Sequence, residues 1–403
     1  MNGRRTLNFI DLFAGCGGMS LGLEMASFKP LLFSELNPSA ASTYKLNRQD
    51  YGSYHLDNLS QQKEIGLCEV GDIAQLSDPS STALEKLSEH WQRHGIREVD
   101  LVCGGPPCQG FSGIGHRRTH GYLDKDRSLI PSNHLYGDMI KVIEKVRPNI
   151  FLFENVRGIV TQKWKKGQGD SIFSHVHDDF AKISGYKIYW ELVKAYEFGI
   201  PQNRPRVLLV GIKDALIKRS GLLIKNEPSS SHPTARLNGF LPKPTKGKVL
   251  SPVEILGDLL ESEFPLNGEG ISAVVNNTAN ARKYPKSPPG FTNFFREKSL
   301  KKITDHQYSN HSSRVKKRFL DMITKGVGHG TRKFSQRVLP REWNDGVPNV
   351  TITSMPDDLI HYEQPRTLTV REWARFQTFP DRYMFAGPRT TGGRRRAGNP
   401  NDG

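Results

Sequence analysis

The sequence predicts an α/β protein: a doubly wound mixed sheet, with a smaller, irregular domain inserted before the last elements of the sheet domain. Three observations carry that prediction. Over the first two hundred residues, short apolar runs alternate with longer amphipathic stretches, the pattern of strands and covering helices. The first run leads directly into a glycine-rich turn, Asp11-Leu-Phe-Ala-Gly15-Cys-Gly17-Gly18. After Ile212 the texture changes to a stretch rich in Ser, Pro, Lys and Gly, which marks a linker or surface crossing.

Taken in order, apolar runs predict strands over residues 7–12, 30–35, 99–103 and 150–154, with a helix over 19–26 after the glycine turn. Residues 187–193 and 206–212 read as a closing antiparallel pair, with Ile200-Pro201-Gln202-Asn203 in the connection between them. Residues 225–249 form the linker, and from there to about 363 the periodicities are weak and basic residues dense. A sharply amphipathic helix is expected over 369–377, ending at Phe379-Pro380. The domains that follow are a sheet domain over 1–235, an insert over 236–363 and a return to the sheet domain over 364–403.

A chain of 403 residues can build one large core and a second, smaller domain. No apolar run approaches the roughly 18–20 residues that span a bilayer, and Asp11 interrupts the N-terminus before a signal core could form. A cytoplasmic protein without membrane association is expected. Four cysteines, Cys16, Cys68, Cys103 and Cys108, give neither a disulfide framework nor paired metal spacing. His175 and His177 beside Asp178 and Asp179 read as a solvated helix start, so no metal is expected. The formal charge of +16 is unevenly placed: residues 281–341 hold 16 Lys or Arg against three acids, Glu297, Asp305 and Asp321. Such a block attracts polyanions, nucleic acid first among them, although an isolated basic loop can also be simply solvated.

The glycine turn is the first candidate site, because glycines let backbone approach a ligand and a helix N-terminus offers free amides. Glu35, 24 residues after Asp11, ends the next strand at a distance suited to ribose hydroxyls. This pair fits a dinucleotide or an adenosine-type cofactor equally well. The second candidate follows the strand at 99–103: Gly104-Gly-Pro-Pro-Cys108-Gln-Gly-Phe-Ser112 presents a thiol on a rigid Pro-Pro step at the carboxyl edge of the sheet, where open α/β sheets bind ligands. A thiol flanked by Gly and Pro at a strand exit is hard to explain as packing.

With this second motif the chain resembles the cytosine carbon-5 DNA methyltransferases, and the resemblance continues in family order. Asp72 in Gly71-Asp72-Ile73 resembles the family's adenine-contacting acid, and Asp126-Arg127-Ser128-Leu129 the short motif after the nucleophile loop. Glu154-Asn155-Val156 is similar to the catalytic Glu-Asn-Val, and Gln202-Asn-Arg204-Pro-Arg206 to the family's Gln-x-Arg-x-Arg. Arg366-Thr-Leu-Thr-Val-Arg371-Glu372-Trp-Ala-Arg375-Phe-Gln377-Thr-Phe-Pro380 resembles the motif that closes the recognition insert.

The resemblance implies an S-adenosyl-L-methionine-dependent methyltransferase fold and a specific double-stranded DNA substrate. Cofactor contacts are then expected from Asp11, Phe13, Gly15, Gly17, Gly18, Glu35, Asp72, Ile73 and Pro106. Cys108 is expected to add to carbon 6 of a flipped-out cytosine and Glu154 to hold a proton at ring N3, with Arg206 and Arg204 orienting Glu154. DNA contacts are expected from Gln109, Ser112, Gln202, Lys316, Lys317, Arg318, Arg332 and Arg371. A single catalytic domain without regulatory additions resembles the enzymes of restriction-modification systems, so a monomer and a cognate restriction endonuclease partner are expected.

Three other readings are weaker. An amino-group methyltransferase would carry an aromatic ring where Cys108 stands, a tRNA methyltransferase of the same family would have a much smaller insert, and a non-catalytic or split DNA-binding relative would not need Cys108, Glu154 and Arg206 together. The last gains from the C-terminus. Family members normally finish with Gly-Asn-Ala-Val and a helix beside the first strand, whereas here Pro400 follows Gly398-Asn399 and three residues remain. A truncated or split enzyme is expected on that ground, with apolar surface exposed next to residues 7–12, weak cofactor binding and little activity.

Overall fold

A computed structural model describes residues 5–107, 128, 131–165, 168–245, 247–260, 282–283, 294–297, 300, 302–309, 311–325, 337–350 and 359–387. The chain divides into two compact units, the first made of Met1–Val193 and Pro205–Lys243, the second of Lys194–Arg204 and Pro244–Gly403.

The first unit runs β1 Leu7–Leu12, α1 Gly18–Met25, β2 Phe28–Ser34, α2 Pro38–Leu46, β3 Ser53–His55, β4 Leu67–Val70, α3 Ala74–Ser77, α4 Ala83–Arg93, β5 Leu101–Gly104, α5 Leu135–Val146, β6 Ile150–Val156, α6 Gly158–Thr161, β7 Lys163–Lys165, β8 Gln168–Ser171, α7 Ile172–Ala181, β9 Tyr186–Lys194, β10 Pro205–Lys213 and α8 Asp214–Ser220. Eight strands form one sheet in the order β3-β4-β2-β1-β5-β6-β10-β9. The pairs from β3 to β6 are parallel, and β10 runs antiparallel to β6. The strand order reverses between β1 and β5, and the crevice at the carboxyl ends of that pair is where such sheets hold ligands.

The apolar runs make this sheet because both of its faces are covered. One face sets Ile10, Leu12, Val102, Phe153 and Leu209 against Leu87 of α4, Met139 and Val142 of α5 and Phe180 of α7. On the other, Phe9, Leu101 and Cys103 meet Met19 and Leu23 of α1, while Val210 and Ile212 meet Leu216 and Ile217 of α8. Between those two patches the described residues leave an apolar groove of about 650 Å³, lined by Leu7, Phe28, Leu101, Ile150, Leu152, Val210 and Phe240. It lies beside the first strand.

The second unit contains α9 Pro252–Leu256, β11 Arg282–Lys283, β12 Lys302–Ile303, α10 Ser313–Lys325, β13 Arg337–Val338, β14 Leu359–Ile360 and α11 Val370–Phe376. Its core joins Ile255, Leu256 and Leu259 to Trp343, Leu368, Trp373 and Phe376. The expected return to the sheet domain at 364 is therefore corrected. Leu368, Trp373 and Phe376 bury themselves among the apolar residues of the insert, and 364–387 belong to the second unit. α11 starts where the pattern predicts, because the Thr369 hydroxyl accepts from the Glu372 amide and the Glu372 carboxylate from the Thr369 amide. Among the described residues no helix is long and apolar enough to cross a membrane.

Candidate active site

At the end of β1 the chain turns left-handed three times, at Phe13 (φ 57°), Gly15 (φ 56°) and Gly17 (φ 87°), before entering α1. Gly17 is the N-cap of that helix. A side chain there would strain the backbone, which is why the turn needs glycine. The next strand supplies the clasp: one Glu35 oxygen accepts from the Gly15 amide at 2.8 Å and the other from the Asn37 amide at 2.7 Å. Each oxygen keeps a further lone pair, and Glu35 is only half-buried. Space above Gly15 is open, since a Cβ there would meet nothing within 4 Å. Asp72 is exposed beyond the end of β4, its carboxylate accepting from the Ala74 amide, while the Ile73 side chain is buried in the core. Gly18 is exposed at the first residue of α1. Leu36, beside Glu35, is 75% exposed, a feature that a single apolar residue does not signal in the sequence.

Asp11 is a correction. Its side chain is buried, accepts from the Ser20 hydroxyl at 2.6 Å and faces the β1–α1 packing rather than the turn. Burial raises its carboxyl to about 6 against the opposing Ser20 bond and the Arg48 charge.

Across the reversal point lie β5 and β6. Glu154 pairs in register with Leu208, and Arg206 stands two residues further along β10, opposite Val156. The two therefore share a sheet face as diagonal neighbours, and the arginine is long enough to reach. Its Nε meets Glu154 Oε1 at 2.6 Å, with both side chains about one-fifth exposed. Gly105, one residue past β5, makes room for the acid: a Cβ there would lie 2.8 Å from Glu154 Oε2. The Asn155 side chain donates to the carbonyl of Pro106 at 3.4 Å and so ties the exit of β5 to β6. Cys108 follows two residues later and, like Gln109, Ser112, Arg332 and the C-terminal Gly398-Asn399, lies outside the described residues.

The described thiols are poor nucleophiles. Burial pushes Cys68 up to about 12, Cys103 far above the usual thiol range, and Cys16 upward as well.

In the second unit, Gln202 is buried and donates to the Phe376 carbonyl at 3.3 Å, which removes it as a DNA contact. Arg371 is likewise corrected: it is wholly buried, donating to Asp305, Thr304 and the Pro380 and Tyr383 carbonyls. Lys316 is the third correction. On α10 it falls on the side of Phe319 and Met322 and is buried, whereas Lys317 and Arg314 are exposed and Arg318 is half-buried. The Arg204 carbonyl accepts from the Ala195 amide, and Arg204 directly precedes β10.

The chain is similar to known methyltransferases along most of its length. A type II methyltransferase of Haemophilus parahaemolyticus, M1.HphI, is 28% identical over 388 residues, covering 95% of this chain and 80% of its own length. M.DdeI, a type II methyltransferase of Desulfomicrobium norvegicum, is 29% identical over 410 residues, covering 96% and 81%. A crystal structure of a prophage-encoded Escherichia coli protein, described as a DNA modification methyltransferase, shares the fold with a TM-score of 0.61 at 22% identity, covering 94% of this chain and 90% of that one. The sequence pattern described as C-5 cytosine-specific DNA methylase matches residues 7–400, so the chain belongs to that family and is a DNA cytosine-5 methyltransferase.

Proposed function

We propose that the chain methylates carbon 5 of a cytosine flipped out of a specific duplex sequence, through a covalent adduct with Cys108. The observation that carries this reading is the Glu154–Arg206 pair at the sheet edge, beside the Gly105-Pro106-Pro107 step that leads into Cys108. The glycine turn with Glu35 lies across the strand-order reversal.

Carbon 5 of cytosine is a weak nucleophile. The Cys108 thiolate adds at carbon 6, the ring double bond moves its electrons toward carbon 5 and N3, and Glu154 holds a proton at N3. Arg206 keeps the carboxyl turned toward the ring and is placed to meet the cytosine carbonyl. S-adenosyl-L-methionine, when bound, would supply the methyl group that carbon 5 takes, its sulfonium sulfur leaving as the neutral thioether of S-adenosylhomocysteine. Loss of the carbon-5 proton to a base then restores the ring double bond, breaks the carbon 6–sulfur bond and returns the Cys108 thiolate.

The residues at the turn suit that cofactor: Glu35 retains lone pairs for the ribose hydroxyls, Asp72 is open to an adenine amino group, and Leu36 offers an exposed apolar surface to a base. Phe13, Gly15 and Gly17 hold the backbone around it. Flipping exposes the target, and the exposed Arg314 and Lys317 of α10 add phosphate contacts. Cytoplasmic action beside a cognate restriction endonuclease completes the proposal.

Duplex DNA with 5-fluorocytosine at the target tests it, because fluorine cannot leave as a proton would and the adduct is trapped. The parent chain is expected to give a denaturation-stable protein–DNA adduct in the presence of S-adenosyl-L-methionine, and Cys108→Ser none. An adduct formed equally by both chains would remove Cys108 from the role.

A further inference from the structure

Arg48 ends α2 one residue past its C-cap, outside every motif, yet only 3% of it is exposed. Each of its guanidinium nitrogens has a partner. Nε and Nη2 fork onto the two oxygens of Glu24 in α1, each at 2.8 Å. Nη1 donates to the Tyr44 carbonyl at 3.1 Å, and Nη2 also donates to the Gly17 carbonyl at 3.2 Å. The guanidinium carbon lies 3.9 Å over the Tyr44 ring, whose other neighbours are Phe33, stacked at 4.1 Å, and the Ser20 hydroxyl, 2.7 Å from the phenol oxygen. Ser20 in turn donates to Asp11.

One side chain thus joins the left-handed N-cap of the glycine turn to the helix it opens, to the following helix and, through Tyr44 and Ser20, to the end of β1. We propose that Arg48 is the positioning residue of the cofactor turn, fixing the Gly17 peptide so that the loop over 13–17 is shaped before ligand arrives. This rests on the reading of the turn as the S-adenosyl-L-methionine site. The planar fork is essential to it, because lysine can reach Glu24 or the carbonyl but cannot hold both in one plane. A preformed turn spares the ligand the cost of ordering it, so the effect falls on affinity.

Calorimetric titration with S-adenosyl-L-methionine, thermal melting and steady-state kinetics on Arg48→Met and Arg48→Lys test the proposal, with Val142→Ala in the α5 core as a control of comparable destabilisation. Arg48→Met is expected to weaken cofactor binding by about tenfold or more, raising the KM for cofactor rather than lowering kcat at saturation. Arg48→Lys should recover melting temperature but not affinity, whereas Val142→Ala should lose melting temperature alone. Affinity that follows melting temperature equally in all three would make Arg48 merely structural and overturn the proposal. Should Arg48→Met fail to fold because Glu24 is left charged, the double variant with Glu24→Gln removes that charge and must show the same loss of affinity. If the parent chain and an Asp72→Ala variant bind the cofactor identically, the site itself is misplaced and both readings fall; if only the Arg48 variants match the parent, this one falls alone.

Discussion

Glu154 owes its position to three neighbours: the Arg206 guanidinium, the missing side chain of Gly105 and the Asn155 tether to Pro106. An amide at 154 would keep the shape and lose the ability to hold and release a proton. Glu154→Gln is expected to lower kcat by about 10²–10⁴-fold while leaving cofactor affinity near that of the parent, as single-turnover kinetics and calorimetry would measure. A collapse of cofactor affinity with turnover preserved at saturation would assign Glu154 elsewhere. The types of these residues were legible from the Glu-Asn-Val and Gln-x-Arg-x-Arg patterns, since the chemistry restricts them. Burial was not. Arg371, Gln202 and Lys316 look like DNA contacts in a basic chain, but whether a long polar side chain points outward depends on the packing around it, as Asp305 and the Pro380 and Tyr383 carbonyls do for Arg371.

At the scale of elements, α11 is held by charge as much as by its apolar face. Arg366 forks onto Glu372, Arg375 bridges Asp258 and Asp381, and Arg371 meets Asp305, all with side chains almost fully buried. Burial opposes the charge on Glu372, but Arg366 outweighs it and holds the carboxyl far below the usual carboxylate range. Its folded pKa is below its unfolded one, so the stabilisation is present above the ordinary glutamate range and is lost only as pH falls toward the folded value. Glu372→Gln leaves the buried Arg366 charge without its carboxylate, with the Gln364 and Thr367 oxygens as acceptors, and should cost about 3–5 kcal/mol at neutral pH, read from urea unfolding followed by tryptophan fluorescence. The gap to the parent should narrow under strong acid; a loss below about 1 kcal/mol, the worth of an exposed pair, would contradict this account. The helix itself was legible, because its cap and period are local in the chain. β3 and β4 were not: strands of three and four residues carry too few alternations to declare a period, and only pairing, β4 along β2 and β3 along β4, makes them strands.

Across the whole molecule, two compact units share one chain that crosses between them more than once, at 193–194, 204–205 and 243–244. The sheet unit was legible because alternating runs must be covered on both faces. The assignment of 364–387 to the second unit was not, since an amphipathic helix shows that it buries a face without showing against what. The excess basic charge sits in the second unit's sequence, with exposed Arg314 and Lys317 on α10, and the carboxylates Glu35 and Glu154, to which the proposal gives the chemistry, in the first. The central claim is that this chain converts cytosine to 5-methylcytosine in duplex DNA. Mass spectrometry of nucleosides from plasmid DNA grown in a methylation-deficient host tests it most directly, since the mark accumulates even when turnover is slow. 5-Methylcytosine is expected with the parent chain and not with Cys108→Ser, clustered in one sequence context by bisulfite reading; no 5-methylcytosine from a well-expressed parent chain, or an equal amount from the serine variant, would contradict the account.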